Sequence, residues 1–267
     1  MRQRMDWWHC IAKRAARPDS VADRSTHMLR RLRRKLAHAI IIDRAPAETR
    51  SVIDRIARRR AAENYIFAGR FVAGKDVLDI GGGAGTGHGL LLACRAARVV
   101  SIDVWAAGKR RSDPRLTYLH GDFLRYSFLD QSFDVLLCIG TIFLLEDHDA
   151  AFRTMYRLLR PGGALIINSI NPELIRRYFG MSLEEIDPKF TKAYTSDELS
   201  GALARYFHAA PEAYVQQPIA DPTGRHAAIR MWIAPLYWLF GGHHVRAPMP
   251  HTIGMFSYLV VRKGTSA

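Results

Sequence analysis

One carboxylate and a run of glycines stand where a nucleotide-type ligand could bind. Asp79 lies near the end of the apolar run at residues 77–80, and five glycines follow within residues 81–87. A helical pattern begins directly afterwards, at residues 89–93. Glycine permits positive φ and lets the backbone approach a ligand without a Cβ in the way. The sequence therefore predicts strand, glycine turn and helix, with the ligand at the carboxyl end of the strand.

A second carboxylate completes the pattern. Asp103 follows the next apolar run, residues 99–102, where a carboxylate could accept both hydroxyls of a ribose. The dinucleotide fingerprint needs glycine at the place of Thr86 and fits poorly, while a phosphate-binding P-loop needs a lysine after the glycines and is excluded. What fits is D-x-G-x-G-x-G, at Asp79, Gly81, Gly83 and Gly85.

The D-x-G-x-G-x-G loop resembles the first motif of class I S-adenosylmethionine-dependent methyltransferases. Three later features resemble the same class in order and interval: Asp103, the pair Asp122-Phe123 after a short third strand, and the run L-L-R-P-G-G-x-L-I-I at residues 158–167. The resemblance covers roughly residues 64–208 and looks most like bacterial enzymes of the ubiquinone-type (type 11) methyltransferase group. It implies S-adenosylmethionine as the cofactor, whose sulfonium and amino-acid tail need room rather than a phosphate cradle.

The resemblance also implies roles for individual residues at the cofactor site. In the family, an acidic residue at the place of Asp122 accepts from the adenine amino group and its neighbour Phe123 flanks the ring; a turn followed by a core aromatic is the alternative. Tyr65 lies in a segment that often covers the cofactor, and plain packing is its alternative. The predicted cofactor-binding residues are Tyr65, Asp79, Gly81, Gly83, Gly85, Asp103, Asp122 and Phe123.

The acceptor side departs from the family pattern. Many of those enzymes carry Glu or a Glu-His pair at the end of the fourth strand, whereas residues 140–145 read G-T-I-F-L-L, so the family's acceptor chemistry cannot be carried over. Asn168 and Asn171 stand where acceptor-facing polar groups belong, although a loop role explains them equally well. Methyl transfer from a sulfonium mainly needs alignment and exclusion of water, and a base only for a hydroxyl or ammonium nucleophile. No motif singles out a base, so the catalytic residue stays unassigned among His120, Glu146, Asp147 and His148.

The elements that position these residues alternate between apolar runs and helical patterns. They predict an α/β, Rossmann-like domain at residues 61–267, with a seven-stranded, mostly parallel sheet and helices on both faces. Within it we expect a lid at residues 173–193 and an aromatic insertion at residues 218–252, between the last two strands. The strands are expected at residues 77–80, 99–102, 116–119, 133–140, 164–170, 213–217 and 255–261, and helices at 47–71, 147–159 and 195–207.

Basic charge is concentrated in an N-terminal helical extension, residues 1–60. This segment holds 17 Lys/Arg against 6 Asp/Glu and so carries most of the formal net charge of +14. Apolar residues recur at helical spacing from Met28 to Ile40, with arginines between them. Such a helix could lie on anionic lipid, contact nucleic-acid phosphates, or dock its apolar side on the protein body. No aromatic residues interleave the arginines, which makes nucleic acid an unlikely partner.

The insertion and the cysteines bear on partners and location. Residues 229–240 include two Trp, a Tyr and a Phe, a composition that suits an apolar acceptor pocket, a membrane interface or a buried accessory helix. No run is long enough to span a bilayer, and no signal peptide is apparent. Three scattered cysteines predict neither a disulfide framework nor a zinc site. We expect a cytoplasmic protein. The basic N-terminal helix could in addition bring it into peripheral contact with a membrane.

These features favour an S-adenosylmethionine-dependent methyltransferase acting on a small or lipid- or glycan-associated metabolite, at oxygen. The basic extension leaves room for an RNA or protein methyltransferase, although the tetrad typical of amino-group-methylating nucleic-acid enzymes is missing after the fourth strand. A non-catalytic binding module that keeps the fold as a scaffold is the third hypothesis. The intact loop and both carboxylates, Asp103 and Asp122, argue against it.

Overall fold

Residues 52–105, 112–220, 244–248 and 252–265, together with Met28, Arg30, Arg31, Arg34 and Ala37, are described by the computed structural model. In this part of the chain the strands are β1 (Asp76–Ile80), β2 (Arg98–Asp103), β3 (Leu116–His120), β4 (Phe133–Cys138), β5 (Leu159–Ile170), β6 (Glu212–Ala220) and β7 (Thr252–Arg262). The helices are α1 (Val52–Ala68), α2 (His88–Ala93), α3 (His148–Leu158), α4 (Pro172–Phe179), α5 (Leu183–Ile186) and α6 (Ser196–Phe207), with 3-10 turns at Gly69–Phe71 and Ile142–Leu144.

The strands form one mixed sheet in the order β3-β2-β1-β4-β5-β7-β6. Strands β1 to β5 pair in parallel, and β7 runs antiparallel to both of its neighbours. The chain moves outward in one direction from β1 to β3 and then returns to place β4 on the other side of β1. A crevice opens at such a reversal, at the carboxyl ends of the strands, and the glycine loop after β1 lies there. The predicted α/β fold is confirmed, with helices covering the sheet.

The central strands read as continuous apolar runs because both of their faces are covered. Val77 and Leu78 of β1 are fully buried, as are Leu136 and Leu137 of β4. Helix α3 buries one apolar stripe, which includes Phe152 and Met155, as an amphipathic surface helix does.

Side-chain caps set the helix starts that the sequence suggested. Asp147 accepts from the backbone N–H of Ala150 and opens α3. Thr195 and Glu198 form a reciprocal capping box that opens α6, as their spacing predicts.

Strand boundaries differ from the sequence predictions at the edges. Strand β5 begins at Leu159, which pairs with Phe133, and the next pair is Val135 with Ala164, so the turn expected at residues 160–163 lies within the strand as a register shift, where Gly162 adopts φ +76°. At the other edge, Ala220 pairs with Thr252, so the first residues of the expected insertion belong to β6. Of the rest of the insertion, residues 244–248 and 252 are described, whereas the aromatic run at residues 229–240 lies outside the described residues. Most of the N-terminal extension also lies outside the described residues; its described positions, the five between 28 and 37 and residues 52–60, are helical.

No helix within the described ranges is long and apolar enough to cross a bilayer. Over the same residues, no group of three or more His, Cys, Asp or Glu side chains is arranged to hold a metal ion.

Candidate active site

The glycine loop packs closely on the protein at Gly81 and faces open space at Gly83. Gly81 adopts φ +76°, and a Cβ there would lie 2.1 Å from Thr141 Oγ1 at the end of β4. Gly83 adopts φ +54°, yet a Cβ there would meet nothing within 4 Å. Both positions need the left-handed backbone that glycine adopts without strain. The backbone around Gly83 is therefore the part of the loop that faces open space, where a ligand can approach closely.

Asp103 joins the loop to the end of β2. Its Oδ2 accepts from the Gly83 N–H at 2.9 Å, and its Oδ1 accepts from the Trp105 N–H at 2.7 Å. An ionised carboxylate offers about four acceptor positions, so these two bonds leave lone pairs for other donors. Asp103 is thus placed beside the open part of the loop, where its predicted ribose contact would be made.

Asp79 lies beneath the loop in a buried hydrogen-bond cluster. Only 1% of Asp79 is exposed, and its Oδ2 accepts from the Tyr65 hydroxyl at 2.8 Å. The same oxygen lies 2.8 Å from Nε2 of His88, which is itself fully buried, and Nδ1 of His88 lies 3.3 Å from the Tyr118 hydroxyl. Tyr65 therefore reaches the cofactor motif through Asp79. Its direct contact with the cofactor stays a prediction.

Asp122 and Phe123, after the end of β3, make the contacts expected of a turn aspartate and of a core aromatic residue. Asp122 Oδ1 accepts from the Leu124 N–H at 2.9 Å, and the carboxylate forms an ion pair with Arg125. Phe123 is 4% exposed and belongs to the hydrophobic core. These contacts agree with the alternative that the sequence left open, and the proposed adenine contact remains a prediction.

Two asparagines at the carboxyl end of β5 bind backbone groups. Asn168 Oδ1 accepts from the Gly140 N–H at 2.6 Å, which ties β5 to the end of β4. Asn171 Oδ1 accepts from the N–H groups of Glu173 and Leu174 and caps α4. Their side-chain oxygens thus serve the loop role that was the second interpretation of these residues.

The 3-10 turn after β4 turns its apolar side chains inward. Ile142 and Phe143 are 0% and 1% exposed and pack in the core. The Phe143 ring makes an edge contact with Phe190 of the expected lid, with ring centroids 5.2 Å apart. This region of the acceptor side is therefore apolar, as the departure from the family pattern indicates.

His148 stands at the centre of a second polar cluster, on the acceptor side. Its Nδ1 lies 2.6 Å from the Tyr194 hydroxyl, and its Nε2 lies 3.3 Å from Thr191 Oγ1. Thr191 also lies within hydrogen-bond distance of the carbonyls of Phe143 and Leu145. This cluster fixes the end of the expected lid, at Thr191, and the adjoining Tyr194 onto the 3-10 turn and the start of α3.

Burial shapes the ionisation of this cluster. It lowers the pKa of His148, which favours the neutral imidazole. Burial is also the main cause that raises the pKa of Tyr194 to about 12, so the phenol stays protonated and can donate to His148. A neutral imidazole is able to accept a proton, but Tyr194 already occupies one of its nitrogens. The arrangement fixes the lid and does not by itself identify a catalytic base.

Sequence reasoning missed the partners of both clusters. His88 is placed at the first position of the helix that follows the glycine loop, a spacing that could have drawn attention to it. Tyr118, Thr191 and Tyr194 carry no local signal, because their partners are distant in sequence.

Two arginines of the N-terminal extension contact the lid. Arg34 Nε donates to the Ile186 carbonyl at 3.0 Å, and the Arg30 guanidinium binds the Glu185 carboxylate. Ala37 of the same segment is fully buried. The described part of the basic helix therefore docks on the protein body, which was one of the three interpretations of its pattern.

The strand order, the antiparallel seventh strand and the glycine loop at the topological reversal are those of the class I S-adenosylmethionine-dependent methyltransferase fold. Residues 78–167 match the model of the family described as a methyltransferase domain.

Curated relatives are similar to somewhat less than half of the chain. The demethylmenaquinone methyltransferase of Clavibacter sepedonicus is 30% identical over 136 residues, covering 47% of this chain and 55% of that protein. The cypemycin N-terminal methyltransferase of a Streptomyces species is 32% identical over 125 residues, covering 43% and 50%. The chain thus spans about half the length of these curated relatives.

A solved structure shares the fold over more of the chain. The S-adenosylmethionine-dependent methyltransferase of Mesorhizobium loti aligns with a TM-score of 0.54 and 19% identity, over 76% of this chain and all of that one. At this identity the likeness concerns the fold alone.

Proposed function

We propose that the protein transfers the methyl group of S-adenosylmethionine to a small or lipid- or glycan-associated acceptor, at a hydroxyl oxygen. One observation carries the proposal. The open part of the glycine loop, at Gly83, is joined directly to the Asp103 carboxylate at the carboxyl ends of β1 and β2. This pairing supports a ligand with both a ribose and an extended tail. The match of residues 78–167 to the methyltransferase domain family agrees with it.

Each part of the site has a role in this proposal. When bound, S-adenosylmethionine supplies a methyl group on a sulfonium, which is electrophilic without further activation. Asp103 would bind the ribose, while Asp79 and Thr141 support the loop around it. The lid, fixed by His148 and Thr191, would exclude water and hold the acceptor in line.

The apolar acceptor side supports a hydrophobic small molecule. Ile142 and Phe143 are buried behind the 3-10 turn, and Phe190 covers the turn from the lid. The names of the relatives include a quinone and a peptide as acceptors, so the family alone leaves the acceptor atom open. We place it at oxygen as a sequence prediction that requires direct measurement.

We propose further that the extension, residues 1–60, serves the lid of the domain at residues 61–267. Arg30 and Arg34 contact α5, which lies within the lid. This use of its charge is an alternative to lipid or nucleic-acid contact, and no described residue supports a membrane contact.

The test is transfer of an isotopically labelled methyl group from S-adenosylmethionine to four probes. These are a small apolar catechol, a demethylated quinol, a peptide with a free amino terminus, and RNA. We expect label on the catechol hydroxyl with the full-length protein and none with Asp103→Ala. Label on the quinol ring carbon would correct the acceptor atom. Label only on peptide or RNA would contradict the proposed acceptor class, and no label together with no cofactor binding would leave a scaffold protein.

A further inference from the structure

We propose that His88 is a positioning residue for the cofactor loop, acting through Asp79. The inference rests on the proposed function, because it concerns the same cofactor site. His88 does not touch the open part of the loop at Gly83. It lies beneath the loop, where it fixes the carboxylate on which the loop rests.

The first observation is the hydrogen-bond geometry. Asp79 Oδ2 lies 2.8 Å from His88 Nε2 and accepts from the Tyr65 hydroxyl at the same distance. A carboxylate oxygen only accepts, so Nε2 carries the proton in this contact. In the neutral imidazole, Nδ1 is then an acceptor for the Tyr118 hydroxyl, 3.3 Å away. The imidazole thus joins β1 to β3 with both of its nitrogens.

The second observation is the close packing of the loop on this imidazole. A Cβ at Gly82 would lie 2.2 Å from Ser101 Oγ of β2, 2.8 Å from Asp79 Oδ2 and 2.9 Å from His88 Nε2. A Cβ at Gly85 would lie 2.7 Å from His88 Nδ1. The loop backbone therefore rests on the imidazole at two points. These two glycines provide space for the protein's own cluster rather than for a ligand.

The third observation is burial. His88 is fully buried and Asp79 is 1% exposed, so water cannot replace a lost partner without reorganisation. Removing one donor from a buried carboxylate leaves a desolvated charge under the loop. The carboxylate would then move toward water, and the loop resting on it would lose its fixed conformation. A loop that must be ordered on binding has lower affinity for its ligand.

Two substitutions separate the two nitrogens of His88. The terminal amide nitrogen of Gln matches the reach of Nε2, so His88→Gln keeps a donor to Asp79. The amide of Asn matches the reach of Nδ1, so His88→Asn keeps the contact to Tyr118 and loses Asp79. A role in positioning Asp79 predicts that the two variants differ, whereas a role in filling space predicts that they behave alike.

The experiment is calorimetric titration of S-adenosylhomocysteine into full-length wild type, His88→Gln and His88→Asn, with the melting temperature of each unliganded protein. We expect His88→Asn to bind about tenfold more weakly than wild type, and His88→Gln to bind within about threefold. Arg160→Met serves as a stability control. It removes the ion pairs to Asp76 and Asp134 at the amino ends of β1 and β4, away from the glycine loop, so it should lower the melting temperature and leave affinity unchanged.

The outcomes are distinguishable. Equal affinities of the Asn, Gln and wild-type proteins would overturn the positioning role. So would an equal loss of affinity in Asn and Gln, or in Arg160→Met at a matched loss of melting temperature. If wild type binds no S-adenosylhomocysteine, the proposed function fails first, and the His88 variants decide nothing about it. A nitrogen-15 spectrum of the wild type should show Nε2 of His88 protonated, and a protonated Nδ1 with a bare Nε2 would contradict the assigned contact.

Discussion

At the scale of single residues, the glycines of the loop serve two different purposes. Gly81 has positive φ and no room for a side chain, because Thr141 fills that space. Gly83 has positive φ but open space around it. A motif of repeated glycines therefore mixes positions that the protein's own packing requires with a position that remains open for a ligand.

This difference predicts that alanine mainly weakens ligand binding at Gly83 and mainly lowers the free energy of unfolding at Gly81. Gly83→Ala should cost only the strain of a left-handed alanine, about 1 kcal/mol of unfolding free energy, and should weaken S-adenosylhomocysteine binding at least tenfold, because the Cβ enters the ligand's space. Gly81→Ala adds a clash with Thr141 and should cost several kcal/mol, on the order of an overpacked core. Urea unfolding and calorimetry measure both quantities.

The matched control for Gly81→Ala is the double variant Gly81→Ala, Thr141→Ala. The clash involves both the hydroxyl and the methyl group of Thr141, so removal of both should recover part of the lost stability. No recovery would argue against Thr141 as the clashing group. Normal ligand affinity of Gly83→Ala would contradict its place beside the ligand.

The buried imidazole on the acceptor side gives a second prediction at the residue scale. Burial lowers the pKa of His148 in the folded protein, so the folded state binds a proton less readily than the unfolded chain. The contribution of His148 to stability is therefore present above the ordinary histidine pKa of about 6.5 and is lost as the pH falls below it.

The measurement compares wild type with His148→Gln, which does not titrate. The unfolding free energy of wild type minus that of the variant should fall between pH 7.5 and pH 5.5. Other histidines are present in both proteins, so their titration cancels in the difference. If this difference in unfolding free energy stays constant or rises as the pH falls, burial does not disfavour the charged form of His148.

At the scale of elements, the lid is held from two sides. Thr191 and His148 fix its end to the turn after β4, and Arg30 and Arg34 contact its short helix α5. Short helices gain most of their stability from tertiary contacts and caps. Helix α5 has only four residues, which bury Leu183 and Ile186 and begin with a capping box at Ser182, and the two arginines add further contacts to it.

Removal of these contacts should loosen the lid without affecting the cofactor loop. In the double variant Arg30→Ala, Arg34→Ala, we expect several-fold faster tryptic cleavage at Lys189 or Lys192 and unchanged affinity for S-adenosylhomocysteine. Arg31→Ala, an exposed neighbour on the same segment, is the matched control and should behave as wild type. Equal cleavage rates in all three proteins would contradict the docking of the extension on the lid.

At the scale of the whole molecule, more of the fold than of the candidate site could be predicted from the sequence. The apolar runs and the glycine loop predict the strands of the sheet, since both depend on patterns within a few residues. The caps at Asp147 and Thr195 are local for the same reason. The strand ends at Leu159 and Ala220 were missed, because they depend on pairing with strands that are distant along the chain.

The site itself was only partly predictable. The loop and Asp103 are motif residues, and the structure brings them together. The clusters around His88 and His148 join side chains that are up to 46 residues apart, and one sequence gives no sign of such pairs. Asp122 and Phe123 make turn and core contacts in the structure, and their contact with adenine stays a prediction from the motif.

The most direct test of the central claim is calorimetric titration of S-adenosylmethionine and S-adenosylhomocysteine into wild type, Asp103→Ala and Asp103→Asn. The account predicts micromolar binding to wild type. It predicts a loss of at least tenfold in Asp103→Ala and a smaller loss in Asp103→Asn, which keeps one oxygen as an acceptor for Gly83 or the ribose. Absence of binding to the wild-type protein, or equal binding by all three proteins, would contradict the assignment of this loop and carboxylate as the methyl-donor site.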